Sequence, residues 1–322
     1  MRPSLFVLAV SLALPLEGRA AYPERPITLI VPFAAGGPTD VVARIVGEHM
    51  SRTLGQQLVV ENVVGAGGTI ASTKAAQATP DGYTLIMGHM GTHGAAPAVY
   101  PNLKYDPAKS FAPIGMAAGT PILIVAKKSF PAKDLKEFVA YLKKNSETLN
   151  EAHAGVGSVS FTTCAFFNSL VGAKPTRVVY RGTGPALNDL VSGQVDYMCD
   201  QIVNLVPQIQ AGTIKAYGVA LPQRSPALPD VPTTKEGGLP EFQVSAWNAI
   251  FAPKGTPPEI VKKLSDALTK ALADENTRKR LLDLGADLSD KAAQTPEGLA
   301  KLVDSEGARW NKVLKSVGAA PR

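Results

Sequence analysis

Short β-branched runs alternate along this chain with stretches whose apolar residues recur every three or four positions. Residues 27–31, Ile-Thr-Leu-Ile-Val, have the apolar character of a buried strand. Residues 39–54 follow, with Val42, Ile45, Val46 and Met50 on one helical face. Strand-like runs return at 58–60, 84–87, 122–126, 177–180, 195–198 and 214–219. Helical patterns lie between them, near 69–78, 135–145, 161–171, 185–192 and 203–211. This alternation predicts an α/β protein with a parallel-rich sheet and helices on both faces. After Trp247 the pattern changes to three charged amphipathic helices, at 258–273, 275–284 and 296–316. Residues 221–240 carry prolines at 222, 226, 229, 232 and 240. They read as an ordered crossing stiffened by proline, with a mobile surface loop as the alternative.

The N-terminus changes where the protein is expected to work. Arg2 precedes an apolar run over residues 5–14, then Pro15 and the small-residue stretch Gly18-Arg-Ala20. This is the tripartite secretory signal pattern, and the run is too short for a membrane helix, which needs about 20 residues. Residues 1–20 are therefore expected to be removed after Ala20, leaving an exported, soluble, periplasmic protein. The net charge of +6 comes without a polybasic block, and aromatic residues are only 6%, so nucleic acid is not an expected partner. Two cysteines exclude a thiolate metal cluster and a disulfide-stapled mini-fold. For Cys164 and Cys199 two buried free thiols are the preferred reading. A disulfide is allowed in an oxidising compartment, but sequence does not give the Cα separation.

Chemistry concentrates in glycine loops set between strands and helices. The first, residues 31–40, reads Val-Pro-Phe-Ala-Ala-Gly-Gly-Pro-Thr-Asp. Gly36 and Gly37 let backbone approach a ligand without a Cβ in the way. Pro38 suits a helix start, and Thr39 or Asp40 can cap it. Free N–H groups and the positive end of the helix dipole then make an anion site that needs no basic side chain. A plain strand-to-helix turn is the competing reading. A second loop, Ala154-Gly-Val-Gly-Ser-Val-Ser160, offers Gly157, Ser158, Val159 and Ser160 at another helix start. Its GxG lacks a third glycine and no acidic residue stands at a convincing ribose position, so no dinucleotide cofactor is expected. Two such loops in separate halves would clamp a carboxylate from both sides.

A third loop, Gly88-His-Met-Gly-Thr-His-Gly94, holds His89 and His93 four apart. Three glycines surround them and no acidic residue sits between, so no metal is expected. His89 and His93, with Met90, Gly91 and Thr92 between them, are read as pocket wall or loop packing. Arg181 either grips an acidic ligand bidentately or bridges to a carboxylate such as Asp200 within the scaffold, the second being preferred. Asp200 ends a strand, where it either lines a crevice or serves structural hydrogen bonding. No GxSxG elbow, P-loop or recognisable Cys–His pair is present. An enzyme is not expected.

Longer motifs narrow the reading. They are Tyr22-Pro-Glu-Arg-Pro-Ile-Thr-Leu-Ile-Val-Pro-Phe-Ala-Ala-Gly-Gly-Pro-Thr-Asp40, Glu61-Asn-Val-Val-Gly-Ala-Gly-Gly68, Pro80-Asp-Gly-Tyr-Thr-Leu85, Tyr105-Asp-Pro107, Tyr180-Arg-Gly-Thr-Gly-Pro-Ala186, Arg224-Ser-Pro-Ala-Leu-Pro-Asp-Val-Pro-Thr233 and Phe251-Ala-Pro-Lys-Gly-Thr-Pro257. In this order they resemble the Bug (TctC-like) receptors, the substrate-binding proteins of tripartite tricarboxylate transporters. The resemblance implies a two-lobe periplasmic binding fold of type II, a Venus flytrap with a mixed sheet flanked by helices in each lobe. It puts one lobe at 21–120 and 241–322 and the other at 121–240. It also implies that the loops matching 33–40 and 155–160 hold a ligand carboxylate through backbone groups and bridging waters, which brings Phe33, Ala34 and Ala35 into the site. Many relatives carry a histidine where this chain has Phe161, so the pocket wall is expected to differ. The far end of the ligand falls to residues 90–93, Arg181, Asp200 and Trp247. The ligand is expected to be a di- or tricarboxylate, an aromatic acid or an acidic amino acid. The receptor, a monomer without cofactor, would pass it to an inner-membrane permease or present it to a sensor kinase.

Overall fold

The computed structural model describes residues 22–319. The expected signal peptide, residues 1–20, lies outside the described residues. The fold opens with three parallel strands, β1 (Ile27–Val31), β2 (Leu58–Asn62) and β3 (Thr84–His89), connected by α1 (Pro38–Leu54) and α2 (Thr69–Ala76). A π-helical turn at Met90–Ala95 and the short α3 (Ala96–Val99) lead to a 17-residue strand, β4 (Phe111–Lys127). The second half follows as α4 (Leu135–Asn145), β5 (Asn150–His153), α5 (Val159–Val171), β6 (Thr176–Val179), α6 (Thr183–Ser192), β7 (Tyr197–Gln201), α7 (Val206–Gln210) and β8 (Ile214–Val219). Strand β9 (Ser245–Pro253) returns to the first half, where α8 (Pro258–Ala273), α9 (Glu275–Asp283) and α10 (Pro296–Ser316) complete the described chain.

The strands run in the order β2-β1-β3-β9-β4-β7-β5-β6, with β8 also paired to β4. Strand β4 belongs to both halves. Residues 111–121 pair antiparallel with β9, and residues 122–127 pair with β7 and β8. This is the two-lobe α/β fold expected from the sequence, each lobe a mixed sheet flanked by helices. Both faces of the sheet are covered. Leu29, Leu123, Val125 and Met198 enter one apolar cluster, while their neighbours Ile30, Ile122, Ile124 and Cys199 enter another on the opposite face.

Local sequence explains the helix that matters most for the site. In α1, Pro38 occupies the first turn and the buried stripe Val42, Ile45, Val46, Met50 packs inward. Its N-cap is Gly37, with no side-chain bond, so neither Thr39 nor Asp40 caps the helix as expected; both already lie inside the first turn. The proline-rich segment after β8 is ordered. Val219 donates to the Pro232 carbonyl and accepts from Thr234 N–H, both at 2.9 Å, which extends the sheet beyond β8.

A second expectation is corrected in the core. Cys164 of α5 and Cys199 of β7 form a disulfide, with Cα atoms 5.2 Å apart, in place of two free thiols. Their separation of 35 residues carries no information on this proximity, which arises because α5 packs across β7.

Candidate ligand-binding site

Loops leaving the carboxyl ends of β1, β3, β5 and β7 converge on one place, as is general for α/β sheets. After β1, Gly36 adopts φ +79°, a left-handed conformation that favours glycine. Asp40 holds this turn. Its Oδ2 accepts from Gly36 N–H at 3.1 Å and from Arg44 Nε at 2.9 Å, and its Oδ1 accepts from Asn62 Nδ2 at 2.9 Å. Burial pushes the Asp40 carboxyl up, but the bonds from Arg44, Asn62 and Gly36 outweigh it and hold the pKa below its ordinary value. Asp40 is therefore committed to shaping the loop. The first-turn amides of α1 have no carbonyl partner inside the helix, and they leave a positive end beside Thr39.

The loop after β5 is built the same way from different residues. Ser158 caps α5 by accepting Phe161 N–H at 3.2 Å, and Ser160 Oγ accepts Ala154 N–H at 3.0 Å. The two hydroxyls lie 3.2 Å apart and are almost fully buried. One hydroxyl hydrogen bridges them. The other is available to an acceptor at the mouth of the helix.

Across from these loops stand His89, Asp200 and Gln201. His89 Nδ1 accepts Thr92 N–H at 3.1 Å, which places the ring hydrogen on Nε2. Phe33 stacks on this ring with centroids 4.9 Å apart. Burial lowers the His89 pKa to about 4, so the ring is neutral. Gln201 Oε1 accepts from Thr120 Oγ1 at 2.6 Å and Asn248 Nδ2 at 2.8 Å, a buried network tying β7 to β4 and β9. Together these groups line one cleft between the loops.

Two seams close the cavity. On one side Ala34 N–H donates to the Arg181 carbonyl at 3.1 Å, and a Cβ on Gly184 would lie 2.6 Å from the Ala35 carbonyl oxygen. On the other, Tyr100 Oη lies 2.9 Å from the Ala66 carbonyl and 2.8 Å from that of Val156.

Among the residues expected at the site, Phe33, Gly37, Thr39, Ser158, Val159, Ser160 and Asp200 line the cavity. Ala34, Ala35 and Gly36 form a seam beside it. Gly91 backs the Gly157 carbonyl, and Gly157 packs on Tyr100. Met90, Thr92 and His93 sit behind the wall: Met90 is in the core, Thr92 braces His89, and His93 stacks on Phe251 at 4.1 Å. Among the described residues Arg181 forms no ion pair with Asp200, so the preferred scaffold bridge is absent; its side chain is exposed, and its carbonyl accepts from Ala34 N–H. Trp247 turns away, toward Glu306 of α10. His89, read from sequence as pocket wall or loop packing, lines the cavity, and Thr183 and Gln201 line it without having been selected from sequence. The position of each at a strand end or helix start was the available signal.

A profile of the tripartite tricarboxylate transporter family receptors matches residues 42–319. The structure of MatC from Rhodopseudomonas palustris with bound malate is 52% identical, with a TM-score of 0.88 over 91% of this chain and 100% of that one. That of the periplasmic binding protein BugD is 43% identical, with a TM-score of 0.90 over 94% and 100%. R. palustris Rpa4515 with adipate is 34% identical, with a TM-score of 0.89 over 94% and 100%. With a family profile matching residues 42–319, most of its length, the chain belongs to the TctC/Bug family of tripartite tricarboxylate transporter receptors, periplasmic solute-binding proteins.

Proposed function

We propose that this protein captures a small organic carboxylate, foremost a short dicarboxylate, between its lobes and delivers it to an inner-membrane tripartite permease. The observation that carries this reading is the cavity itself. It faces the N-termini of α1 and α5 and the Ser158–Ser160 hydroxyl pair, and among the described residues no lysine or arginine lines it. Helix ends and hydroxyls suffice for a carboxylate when both are desolvated together. Malate and adipate in the related structures support the same solute class. In this reading the lobes divide near residues 120 and 240, and β4 and β9 form the hinge. Residues 1–20 direct export and are cleaved after Ala20, and the receptor acts as a monomer that binds without turning over its solute.

A thermal-shift screen with malate, succinate, adipate, citrate, benzoate and glutamate tests the proposal. A ligand at 100 times its Kd adds about 2.7 kcal/mol of stability, which a melting curve resolves. Stabilisation by one or more carboxylates is expected. Stabilisation by neutral solutes alone would refute it. Co-purification from membranes separates the delivery step from the binding step, since a sensor kinase recovered in place of a permease would overturn delivery and leave binding intact.

A further inference from the structure

Asp200 ends β7 at the cavity and is only 1% exposed. Its Oδ2 accepts the Asn204 amide at 3.1 Å, while its Oδ1 is buried without a hydrogen-bond partner among the described residues. A buried carboxylate oxygen left unpaired is costly, and the lining offers no cation to offset it. The other polar groups around the cavity are suited to an anion: the serine hydroxyls, the helix amides and His89 Nε2–H. Gln201 has already committed its carbonyl oxygen to Thr120 and Asn248. Among the described residues Asp200 is thus the one lining side chain that, when ionised, only accepts.

Building on the carboxylate-receptor reading, we propose that Asp200 sets the solute class, because its Oδ1 demands a hydrogen from the part of the solute opposite the clamped carboxylate. The preferred solute is a short hydroxy-substituted dicarboxylate whose hydroxyl donates to Asp200. A plain dicarboxylate brings only acceptors to that end. It binds when Asp200 takes up a proton, which then bridges the two carboxyl groups. The balance is one proton taken from solvent per plain diacid bound and none per hydroxy acid. An ammonium group fits less well, since it brings three donors to one open acceptor.

Few titratable groups surround Asp200. β4 places Leu123 opposite it, α5 contributes Ser160 and Thr163, α6 contributes Thr183, and the turn after β7 contributes Asn204. His89 across the cavity and His153 at the end of β5 are both held near 4 by burial. Glu151 on β5 is raised to about 7, and its carboxylate is bonded to Asn168. Asp40 of α1 is bonded to Arg44, and Asp196 before β7 is paired with Lys127. Burial raises Asp200 to about 6, partly opposed by the nearby Thr183, the Gln201 backbone and Asn204, of which Asn204 alone is bonded, to Oδ2, and none to Oδ1.

Titration calorimetry with malate, succinate and aspartate tests this, run from pH 7 to 9 in two buffers of different ionisation enthalpy. Malate is expected to bind about 10- to 100-fold more tightly than succinate at pH 8. Succinate should take up one proton and lose affinity about tenfold per pH unit, while malate shows neither effect. In Asp200→Asn the amide itself donates, so the gap between the two solutes should close and the succinate pH dependence should vanish. A dependence that survives in Asp200→Asn would assign it to Glu151 and overturn the proposal. Equal wild-type affinities without proton uptake, or aspartate binding more tightly than malate, would overturn it too while leaving the receptor reading intact. Failure of every carboxylate to bind would refute that reading, and this inference with it. The wild-type comparison stands even if the variant does not fold.

Discussion

Ala34 N–H donates to the Arg181 carbonyl at 3.1 Å, so the loop that opens α1 is bonded directly to the loop that opens α6. The bond joins the first and second halves of the chain through main-chain atoms alone. Side-chain chemistry can therefore change there without loss of the bond, but backbone spacing cannot.

Gly184→Ala should weaken solute binding with little effect on the stability of the unliganded protein. The new Cβ would meet the Ala35 carbonyl oxygen at 2.6 Å, a backbone atom that yields only if the lobes part. Overpacking costs about 1–3 kcal/mol. If only the closed form bears it, Kd rises roughly 5- to 150-fold. Calorimetry beside a melting curve separates the two effects, and an unchanged Kd would mean the seam does not govern closure.

Replacing the serines should separate capping from ligand contact. Ser158→Ala removes the α5 cap and should cost about 1 kcal/mol of stability. Ser160→Ala leaves the Ala154 amide without its acceptor, at a cost of about 1–3 kcal/mol. Both lose the hydroxyl pair, and carboxylate affinity should fall by about tenfold or more. Urea melts report the first effect and binding isotherms the second.

The Cys164–Cys199 bridge closes a loop of 35 residues' separation. In the chain-entropy account a loop of that length is worth about 3–4 kcal/mol. A Cys164→Ala/Cys199→Ala double variant should unfold at markedly lower urea, and reductant should lower the midpoint of the wild type but not of the variant. Identical midpoints with and without reductant in the wild type would contradict a stabilising bridge.

Acid should destabilise the protein before ordinary carboxylates titrate. Burial lowers His89 and His153 to about 4 and His93 to about 3, so the folded protein favours their neutral forms. That contribution is complete above the unfolded value of about 6.5 and is lost as pH falls toward 4. Glu151 and Asp200 act in the other direction, since their raised values of about 7 and 6 erode stability as pH climbs through them. Melting temperature should therefore peak near pH 6–7. His93→Phe keeps the stack on Phe251 and should flatten the acid side. An unchanged acid slope would exclude His93 as a contributor.

The sequence made some parts of this molecule legible and hid others for physical reasons. Helices α4, α8 and α10 could be bounded from sequence because start residues such as Asp134, Pro258 and Pro296 flank a clear apolar period. Strand β9 was missed because Ser-Ala-Trp-Asn-Ala-Ile-Phe-Ala-Pro neither alternates nor stands as an unbroken apolar run, and it is almost wholly buried with Asn248 bonded inside. The short β5 hides Glu151, a residue that ordinarily signals surface. At the site, helix starts were readable because glycine, proline and serine mark them locally. The placement of Gln201, Thr183 and the disulfide depends on what the other half of the chain brings close, and no local pattern encodes that.

Strand β4 pairs with β9 along one part of its length and with β7 and β8 along the rest, so it cannot slide in either lobe without breaking a ladder. Relative motion of the two halves is thereby confined to bending and twisting of this strand and its neighbour β9, much as a leaf spring permits rotation and forbids shear. The permease proposed above as partner would then meet one variable, the angle between the rims, and it could tell loaded from empty without touching the solute.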